Sequence, residues 1–381
     1  MKKYLGMILL FYSITGWPSN GPVIKVRIGK VLNKVNVSGL DLKRYIWPKK
    51  SLKVYSGQKL IEFNCKTDVK SHIKKPIRLA SIQSLTGLLN WDSEKYKGIL
   101  HIQTSEKLKG CDLVNELYLE DYLATLLPKE MDSSWPVEAL KAQAVAARSY
   151  AFYKIKTKQV AKSKGFKTYY DLENSEKHQV SGSYFDATKK TISATRDTSG
   201  EVLSLSDGSL TPIFFHSKCG GRTLTPDQVW TNRVPGYRSV DCPFCHKHGT
   251  KNWNHEIPKV KLISSIEAVL EKYENDPISL RQKNMTLVND FKKNYKLSIK
   301  SGRLEKNVKK SRLRAIMGRR ILPSNNFKVT EKNGKYIASG AGFGHGVGMC
   351  QFGAKELALQ GYTYKQILAY YFPELHLKKI Y

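Results

Sequence analysis

Residues Val114–Lys158 read VNELYLEDYLATLLPKEMDSSWPVEALKAQAVAARSYAFYKIKTK, a stretch that predicts two consecutive helices. The first covers Leu119–Leu127 and ends at Pro128, since proline has no N–H with which to continue a helix. The second begins near Ser134, where a following proline is tolerated in the first turn, and runs to about Lys156. The chain is therefore not all-β, although most of what precedes these helices has the pattern of strands.

The segment between the two predicted helices holds Glu130, the best candidate for a catalytic carboxylate. It lies in a proline-flanked turn, and Trp135 follows it with a flat apolar ring that suits stacking on a sugar. An apolar pocket can raise the pKa of a carboxylic acid enough for it to act as a general acid. The structural alternative is a glutamate that caps a helix or joins a salt bridge.

Arg148 is the second charged residue that this region singles out. It shares a stripe of the second predicted helix with small apolar residues, among them Ala144 and Ala151. A guanidinium in such surroundings needs an anionic partner, because an unpaired buried charge is very costly. The sequence offers Glu130 as that partner.

Strand signals dominate from about Val23 to Leu113, where alternating or β-branched residues are separated by Gly, Asn and Ser. Residues 166–206 read as strands and loops, and two helices close the chain. We therefore expect an α+β fold in which a β-rich N-terminal part precedes a mixed α/β domain. The expected segments are 1–19 as a leader, 20–113 as the β-rich region, and 114–381 as the mixed domain with a lysine-rich insertion around 258–310.

The composition is that of a folded, strongly basic protein. The 381 residues are 41% hydrophobic, which is enough for one large domain or two ordinary ones. A formal net charge of +32 favours polyanionic surroundings such as nucleic acid, anionic lipid or an acidic cell wall. The alternative is a lysine-rich surface without a partner, because the lysines are scattered and form only short runs.

The first residues have the pattern of a secretory signal. Lys2 and Lys3 precede an apolar run, Tyr4–Ile14, which breaks at Gly16 and is too short to span a membrane. A clear cleavage site is missing, so the segment is either removed or kept as an anchor. We expect a secreted protein of the periplasm or cell envelope without a further membrane span, and this location argues against nucleic acid as a partner.

The six cysteines are too few for a disulfide scaffold in a chain of this length. Cys65 and Cys111 lie in the N-terminal third. They either pair with each other or remain two buried thiols.

Two ligand pairs, His216-x-x-Cys219 and Cys242-x-x-Cys245, have the spacing that suits one tetrahedral zinc ion of structural role. Two further histidines are alternative fourth ligands: His246 and His248. The rival interpretations are a Cys-x-x-Cys redox pair and a disulfide from Cys219 to Cys242 or Cys245.

The segment Ser339–Gly353, SGAGFGHGVGMCQFG, has a glycine at every second position from Gly340 to Gly348. If it is extended, one face is bare backbone that a sugar or a second backbone can approach, and the other face carries His345. The alternative is a flexible glycine loop. No G-x-G-x-x-G and no G-x-x-x-x-G-K-[ST] pattern occurs, which argues against a nucleotide phosphate site.

Three blocks of the sequence resemble the SpoIID/LytB family, named for stage II sporulation protein D. They are ELYLEDYLATLLPKEMDSSWPVEALKAQAVAARSYA, FFHSKCGGRTLTPDQVW and GAGFGHGVGMCQFGAKELALQGYTYKQILAYYFP, in the order that the family has them. The resemblance extends over roughly Val23–Tyr381. It implies an α+β fold and lytic transglycosylase activity on peptidoglycan, with cleavage between N-acetylmuramic acid and N-acetylglucosamine of strands that lack stem peptides.

The resemblance also implies roles for single residues. It assigns the catalytic role to Glu130, in a Pro-x-Glu-Met motif, and matches Arg148 to a basic site residue. Three further candidates for substrate binding are His345 and Gln351 of the third block and Trp135 of the first block.

The second block contains the predicted metal site. His216 matches a histidine of the family, and some members carry zinc near this block. Many members have Ser or Thr in place of Cys219, and Ser in place of Cys350, which remains unexplained. Other relatives are amidase enhancers, so the alternative function is a non-catalytic glycan-binding protein that stimulates a cell-wall amidase. A DNA-binding protein is a third and less favoured interpretation.

Overall fold

The structure is a computed structural model that describes residues 21–47, 50–65, 76–105, 110–164, 168–175, 179–244, 252–277, 279–280, 286–289, 295–301 and 303–381. These residues pack into two compact units. Unit 1 contains the described residues up to Ser133, together with Lys154–Gly200 and Tyr381, and unit 2 contains Ser134–Tyr153 and Glu201–Ile380. The expected leader, 1–19, lies outside the described residues.

Unit 1 is built on one nine-stranded sheet, as the strand signals of this region predict. Its strands are β1 (Val23–Val31), β2 (Lys34–Ile46), β3 (Ser51–Asn64), β4 (Arg78–Ser84), β5 (Leu89–Trp91), β6 (Glu94–Tyr96), β7 (Ile99–Thr104), β8 (Cys111–Tyr118) and β9 (Leu172–Glu173). The order is β6-β5-β2-β4-β7-β8-β1-β9, and β3 pairs with β2. The pairs are antiparallel except for β1 with β9. The boundary expected at residue 113 falls within β8.

A disulfide joins Cys65, directly after β3, to Cys111, the first residue of β8. Of the two interpretations of these cysteines, the structure therefore supports the paired one. Because β3 and β8 are not neighbours in the sheet, the bond connects parts of unit 1 that strand pairing alone does not connect.

Helix α1 (Leu119–Glu130) follows β8 directly and buries an apolar face. It continues through Pro128, so the predicted end at Leu127 is wrong. Proline removes only the N–H that would bond the carbonyl of Ala124, and the Met131 N–H still closes the last turn on the carbonyl of Leu127 at 2.9 Å. Glu130 is therefore the last residue of a helix and does not lie in a turn.

Helix α2 (Val137–Ser163) is longer than predicted, because the lysine-rich sequence beyond Lys156 contains good helix formers and no stop signal. Helix α3 (Lys189–Asp197), preceded by a 3-10 turn at Tyr184–Asp186, was missed by the prediction of strands and loops. Its N-cap, Thr188, exchanges hydrogen bonds with Thr191, and a threonine at that third position is not the usual sequence signal for a capping box.

Unit 2 consists of short sheets and helices. Its strands are β10 (Glu201–Ser204), β11 (Phe215–His216), β12 (Gly221–Arg222), β13 (Asp241–Cys242), β14 (Trp253–Ile257), β15 (Thr286–Asn289), β16 (Lys296–Ser301), β17 (Leu304–Lys309), β18 (Phe327–Lys332), β19 (Lys335–Gly340), β20 (Met349–Cys350) and β21 (His376–Lys379). Its helices, besides the first part of α2, are α4 (Pro226–Val229), α5 (Lys259–Val269), α6 (Lys310–Met317), α7 (Gln351–Leu359) and α8 (Tyr364–Tyr371), and a π-helical turn, Leu270–Glu274, follows α5. The closing helices α7 and α8 agree with the prediction.

The lysine-rich segment around 258–310 has a hydrophobic core in common with the strands that follow it. Leu262 and Ile266 of α5, Leu297 of β16 and Leu313 of α6 are fully buried with Tyr336 of β19. The charge of this segment therefore lies on a folded layer with its own apolar side.

The glycine-rich segment is not a regular extended strand, so the condition for a bare strand face is not met. Gly342, Gly344, Gly346 and Gly348 all have positive φ, between +72° and +106°. Residues with a side chain rarely adopt such φ angles, which accounts for the glycines at these positions. Main-chain bonds hold the segment in place, for example from Phe343 N–H to Lys218 O at 2.9 Å.

The two units together confirm the α+β class with a strand-rich N-terminal part. Within the described ranges, the structure contains no helix that combines the length and apolar character needed to cross a membrane.

Candidate functional site

Glu130 is held at the C-terminal end of α1 in unit 1. Its side chain is half-buried, while Leu126 and Leu127 before it and Met131 after it are buried. The neighbouring Lys129 forms an ion pair with Asp186 at 3.0 Å.

Arg148 is fully buried in the part of α2 that belongs to unit 2. Its guanidinium donates to the main-chain carbonyl of Glu201 at 3.2 Å. The sequence predicts a partner for this buried charge, and the carbonyl of Glu201 is one such partner. Pairing of Arg148 with Glu130 stays a prediction.

Trp135 lies in the packing of unit 2. Its side chain is 8% exposed, its ring meets that of Phe352 edge-on at 4.7 Å, and the Lys355 ammonium lies 5.0 Å from the ring centre. A sugar needs an open ring face to stack on, and these contacts leave little of one. We therefore revise the expectation for Trp135 from sugar stacking to packing.

Gln351 is also buried, as the first residue of α7. Its amide nitrogen lies 3.5 Å from the side-chain oxygen of Gln143 on α2. This contact connects two of the three blocks of the sequence within unit 2. A direct contact of Gln351 with substrate stays a prediction.

His216 and His345, from the second and third blocks, lie side by side with ring centres 5.6 Å apart. The Nδ1 of His216 lies 3.0 Å from the carbonyl of Val347, which can only accept, so Nδ1 carries the proton and Nε2 has the lone pair. In His345 the arrangement is reversed, since Nδ1 accepts from the Val347 N–H at 3.0 Å. The two rings therefore present opposite tautomers.

His345 is kept neutral by its surroundings. Withdrawal from water, together with the nearby His216 and Arg314, lowers its pKa to about 3. The rings of Phe214 and Trp230 enclose it, at centre distances of 6.4 and 5.3 Å. At neutral pH this histidine is a hydrogen-bonding group and not a cation.

A buried group of three candidate metal ligands is formed by His216, Cys219 and Cys350, whose ligand atoms all lie within 4.8 Å of one another. The sulfur of Cys350 accepts main-chain N–H groups of Cys219 and Gly353, both at 3.4 Å, and the sulfur of Cys219 accepts that of Gly221 at 3.4 Å. Each sulfur is also placed to donate to a carbonyl, Cys350 to that of Ser217 at 3.6 Å and Cys219 to that of Cys242 at 3.7 Å. The hydrogen bond from Nδ1 of His216 to a carbonyl is the usual support for a ligating imidazole.

Cys242 lies close to this group through its main chain, since its carbonyl is 3.7 Å from the sulfur of Cys219. Its own sulfur is 3.2 Å from the hydroxyl of Tyr371, and it is not one of the three clustered ligands. Cys219, Cys242 and Cys350 are free thiols, so a disulfide from Cys219 to Cys242 is not present. Three residues of the predicted zinc region lie outside the described residues: Cys245, His246 and His248.

Cys350 is the residue that the sequence argument missed. No Cys or His lies three positions before or after it in the sequence. The parallel pairing of β11 with β20 brings it beside His216. The available signal was its place within the glycine-rich segment. That segment pairs with the second block at four points: Phe215 with Met349, His216 with Cys350, Lys218 with Phe343, and Leu224 with Val347.

Comparison with known proteins finds one family model and several relatives. The family model SpoIID, described as "Stage II sporulation protein", matches residues 107–205, which include Glu130 and Arg148. An uncharacterized protein of Brachyspira hyodysenteriae is 32% identical over 264 residues, which are 68% of this chain and 66% of that protein.

Two relatives from Bacillus subtilis have descriptive names. The protein named amidase enhancer is 30% identical over 364 residues, 85% of this chain and 49% of its own length. Stage II sporulation protein D is 27% identical over 273 residues, 68% of this chain and 74% of its own length. The chain thus spans about two thirds of the Brachyspira protein and about half of the amidase enhancer. From the three blocks and these matches, the chain belongs to the SpoIID/LytB family.

Proposed function

We propose that this protein is a lytic transglycosylase that cleaves glycan strands of peptidoglycan between N-acetylmuramic acid and N-acetylglucosamine. The observation that carries the proposal is the position of Glu130. It is a half-buried carboxylate at the end of α1, inside the segment that matches the family model.

Glu130 acts first as the acid in the proposed reaction. It gives its proton to the glycosidic oxygen, so that the bond from C1 of the muramoyl residue to that oxygen breaks and the next glucosamine leaves with a free 4-hydroxyl. The 6-hydroxyl of the same muramoyl residue then bonds to C1 and returns its proton to Glu130. No water is consumed. One carboxylate suffices, because the substrate supplies its own nucleophile, whereas a hydrolase uses two carboxyl groups.

The metal role that we propose is structural. His216, Cys219 and Cys350 would hold zinc, and Cys242 or Cys245 would supply the fourth ligand of a closed tetrahedral site. Bound there, zinc would tie β11 to β20 and stabilise the two blocks that they carry. Elemental analysis of protein purified without added metal should find about one zinc per chain. Less than about a tenth of that amount would contradict a resident ion.

We also propose that the protein works outside the cytoplasm, in the cell envelope. The Cys65–Cys111 disulfide supports this location, because such bonds persist in oxidising compartments. The signal-like first residues point the same way.

The deciding experiment is mass spectrometry of denuded glycan strands after incubation with the purified protein. The unaltered protein should release products with 1,6-anhydro ends, and Glu130→Gln should reduce their rate by at least about a hundredfold, the usual worth of a general acid. Glu94→Gln, which changes an exposed glutamate of the same unit, is the matched control and should cut normally. Equal rates for Glu130→Gln and the unaltered protein would show that Glu130 is not the acid.

A second candidate function is favoured by the amidase enhancer, which matches 85% of this chain. In that case the protein binds glycan without cutting it and stimulates a cell-wall amidase. The same incubation separates the two functions. Intact strands that sediment with the protein, together with faster amidase action in its presence, would favour the enhancer.

A further inference from the structure

Strand β3 lies at an edge of the nine-stranded sheet of unit 1. It pairs with β2 along one side, and no other described strand pairs with its second side. Three of its large apolar side chains are exposed and together form the β3 patch: Leu52 by 53%, Val54 by 57% and Leu60 by 65%. An edge strand that exposes apolar side chains is a template for pairing with another chain. β3 is therefore a candidate docking strand.

The side chains of the β3 patch share one face of the strand. Val54 lies beside Tyr55, whose partner Leu42 on β2 is fully buried. Leu60 lies beside Ile61, which is buried as well. Because successive residues of a strand point to opposite faces, the patch lies on the face turned away from these buried side chains. A strand added at the edge would bring every second side chain beside the patch.

The charge of the β2–β3 ribbon indicates what kind of strand fits. Residues 34–64 contain seven Lys or Arg and only two carboxylates. Both carboxylates, those of Asp41 and Glu62, already have partners within the ribbon. Lys53 and Lys59 are exposed on β3, and within the described ranges neither has a carboxylate partner. A partner strand that carries carboxylates is therefore favoured.

A second copy of this chain fits the edge poorly. If two β3 strands pair in antiparallel fashion, the register that sets Leu52 opposite Leu60 also sets Lys53 opposite Lys59. Like charges directly opposite each other destabilise a strand pair. Gly57, with a φ of +74°, also interrupts the strand near its middle, and such irregularities protect an edge from self-pairing. The regular edge before this interruption is Ser51–Tyr55.

We propose that Ser51–Tyr55 is the docking edge for an extended, acidic segment of a partner protein, in which apolar residues alternate with Glu or Asp. The segment joins the sheet as a further strand, and its main chain bonds to the free edge of β3. Its apolar side chains pack beside Leu52 and Val54, and a carboxylate lies opposite Lys53. These residues take no part in the proposed cutting of glycan, so the docking site does not depend on that reaction.

The test uses the full protein and three capped heptapeptides as probes: EVEVEVE, KVKVKVK and EEEEVVV. The last has the composition of the first but lacks its alternation. EVEVEVE should bind roughly tenfold more tightly than either of the others, because it alone gains two or three favourable cross-strand pairs. Fluorescence anisotropy of labelled peptides measures the affinities. In the complex, hydrogen exchange should slow at the main-chain N–H groups of Ser51–Tyr55.

Variants then assign the contacts. The double variant Leu52→Ser with Val54→Ser should bind EVEVEVE roughly tenfold more weakly. Lys53→Glu should reverse the preference in favour of KVKVKVK, a gain that an unfolded variant cannot produce. Val160→Ser with Leu359→Ser is the matched control, since these side chains are exposed to a similar extent, 54% and 58%, but lie outside the ribbon. Its affinity for EVEVEVE should equal that of the unaltered protein.

Three results would overturn the docking edge: equal affinity for EVEVEVE and KVKVKVK, unchanged binding in the double variant of Leu52 and Val54, or no slowing of hydrogen exchange at Ser51–Tyr55. Two further measurements identify a different occupant. A dimer in sedimentation equilibrium that the double variant abolishes would assign the edge to a second copy. Binding to phosphatidylglycerol vesicles that the double variant abolishes, without binding of EVEVEVE, would assign the patch to a lipid surface. Either result contradicts an acidic protein segment as the partner.

Discussion

At the scale of single residues, Gly348 shows how the third block depends on the absence of a side chain. Its φ is +72°, and an added Cβ would lie 2.0 Å from the carbonyl oxygen of Phe214. That oxygen accepts the Met349 N–H at 3.1 Å, so it cannot move away without breaking the approach of β20 to β11. A methyl group here meets both an unfavourable φ and a fixed main-chain atom.

Gly348→Ala should therefore destabilise the protein by more than about 3 kcal/mol, beyond the 1–3 kcal/mol expected for unfavourable φ alone. Gly361→Ala is the control, because Gly361 has φ +88° but open space where the Cβ would be. It should lose only about 1 kcal/mol. Urea unfolding of the two variants checks the difference, and equal losses would show that the Phe214 contact has no weight.

His101 illustrates a buried histidine with a structural role. It is 3% exposed, its Nδ1 lies 2.8 Å from the hydroxyl of Ser81, and its Nε2 lies 2.9 Å from the carboxylate of Glu116. Burial lowers the pKa of His101, and the positive charges of Arg78 and Lys25 add to this against the opposing effect of Glu116. The contact with Glu116 is then a hydrogen bond from a neutral ring and not an ion pair at neutral pH.

The unfolded state takes up a proton near pH 6.5 and the folded His101 does so only at lower pH, so folding stability is lost as pH falls below 6.5. Glu116 adds a separate loss at lower pH. Although its burial opposes ionisation, the His101 and Lys25 contacts hold its pKa at about 2, so its contribution is lost between about pH 4.5 and 2.

We predict that the free energy of unfolding falls between pH 7 and pH 5 with a contribution from His101 of at most about 1.4 kcal/mol per pH unit. In His101→Gln this slope should be smaller. His376→Gln, at an exposed position, should keep the slope of the unaltered protein. Urea titrations at pH 7, 6 and 5 give the comparison, and identical slopes in all three proteins would exclude the buried ring as a source.

At the scale of secondary-structure elements, the disulfide between Cys65 and Cys111 restrains two strands that do not pair. The sequence separation of 46 residues corresponds to about 4 kcal/mol of stabilisation in the chain-entropy model. The bond joins the end of β3 to the start of β8.

Reduction should therefore lower the urea midpoint of the unaltered protein, and the double variant Cys65→Ser with Cys111→Ser should have the low midpoint with or without reductant. The expected loss is about 2–5 kcal/mol. If reductant lowers the midpoint of the double variant by the same amount, the effect does not come from the Cys65–Cys111 bond.

The elements also show what the sequence could and could not predict. Strand alternation in Val23–Leu113 and the closing helices were predictable, because their signals are local. Pro128 misled the prediction of α1, since proline stops a helix only when the lost bond and the ring cannot be accommodated, and two residues from the helix end they can be. Helix α3 was missed because its cap uses Thr191 in place of an acidic residue.

The site was predictable only in part, for a physical reason. His216 and Cys219 are close in sequence, so spacing identified them together. Cys350 joins them only through the pairing of distant segments, and no local pattern reveals such a contact. Alternate glycines indicated an unusual main chain, but the left-handed angles that explain them were not visible in the spacing.

At the scale of the whole molecule, charge is the dominant property. The excess of 64 basic over 32 acidic residues gives a net charge of +32, far beyond what the ion pairs of the fold require. Many of these pairs join exposed side chains, such as Lys34 with Glu62, and contribute little to stability. An external polyanion as the partner of this charge stays a prediction.

We accordingly predict that binding to an anionic wall polymer depends strongly on salt, and that binding to a neutral glycan does not. Raising the ionic strength from 0.01 to 0.15 M shortens the screening length from about 30 to about 8 Å. Sedimentation of the Glu130→Gln protein with acidic wall material should weaken at least tenfold over this range, because surface charges act over such distances. Sedimentation with chitin, which has no carboxylates, is the control and should change little. A salt-independent affinity for both materials would mean that the lysines do not bind the polymer and serve only as a solvated surface.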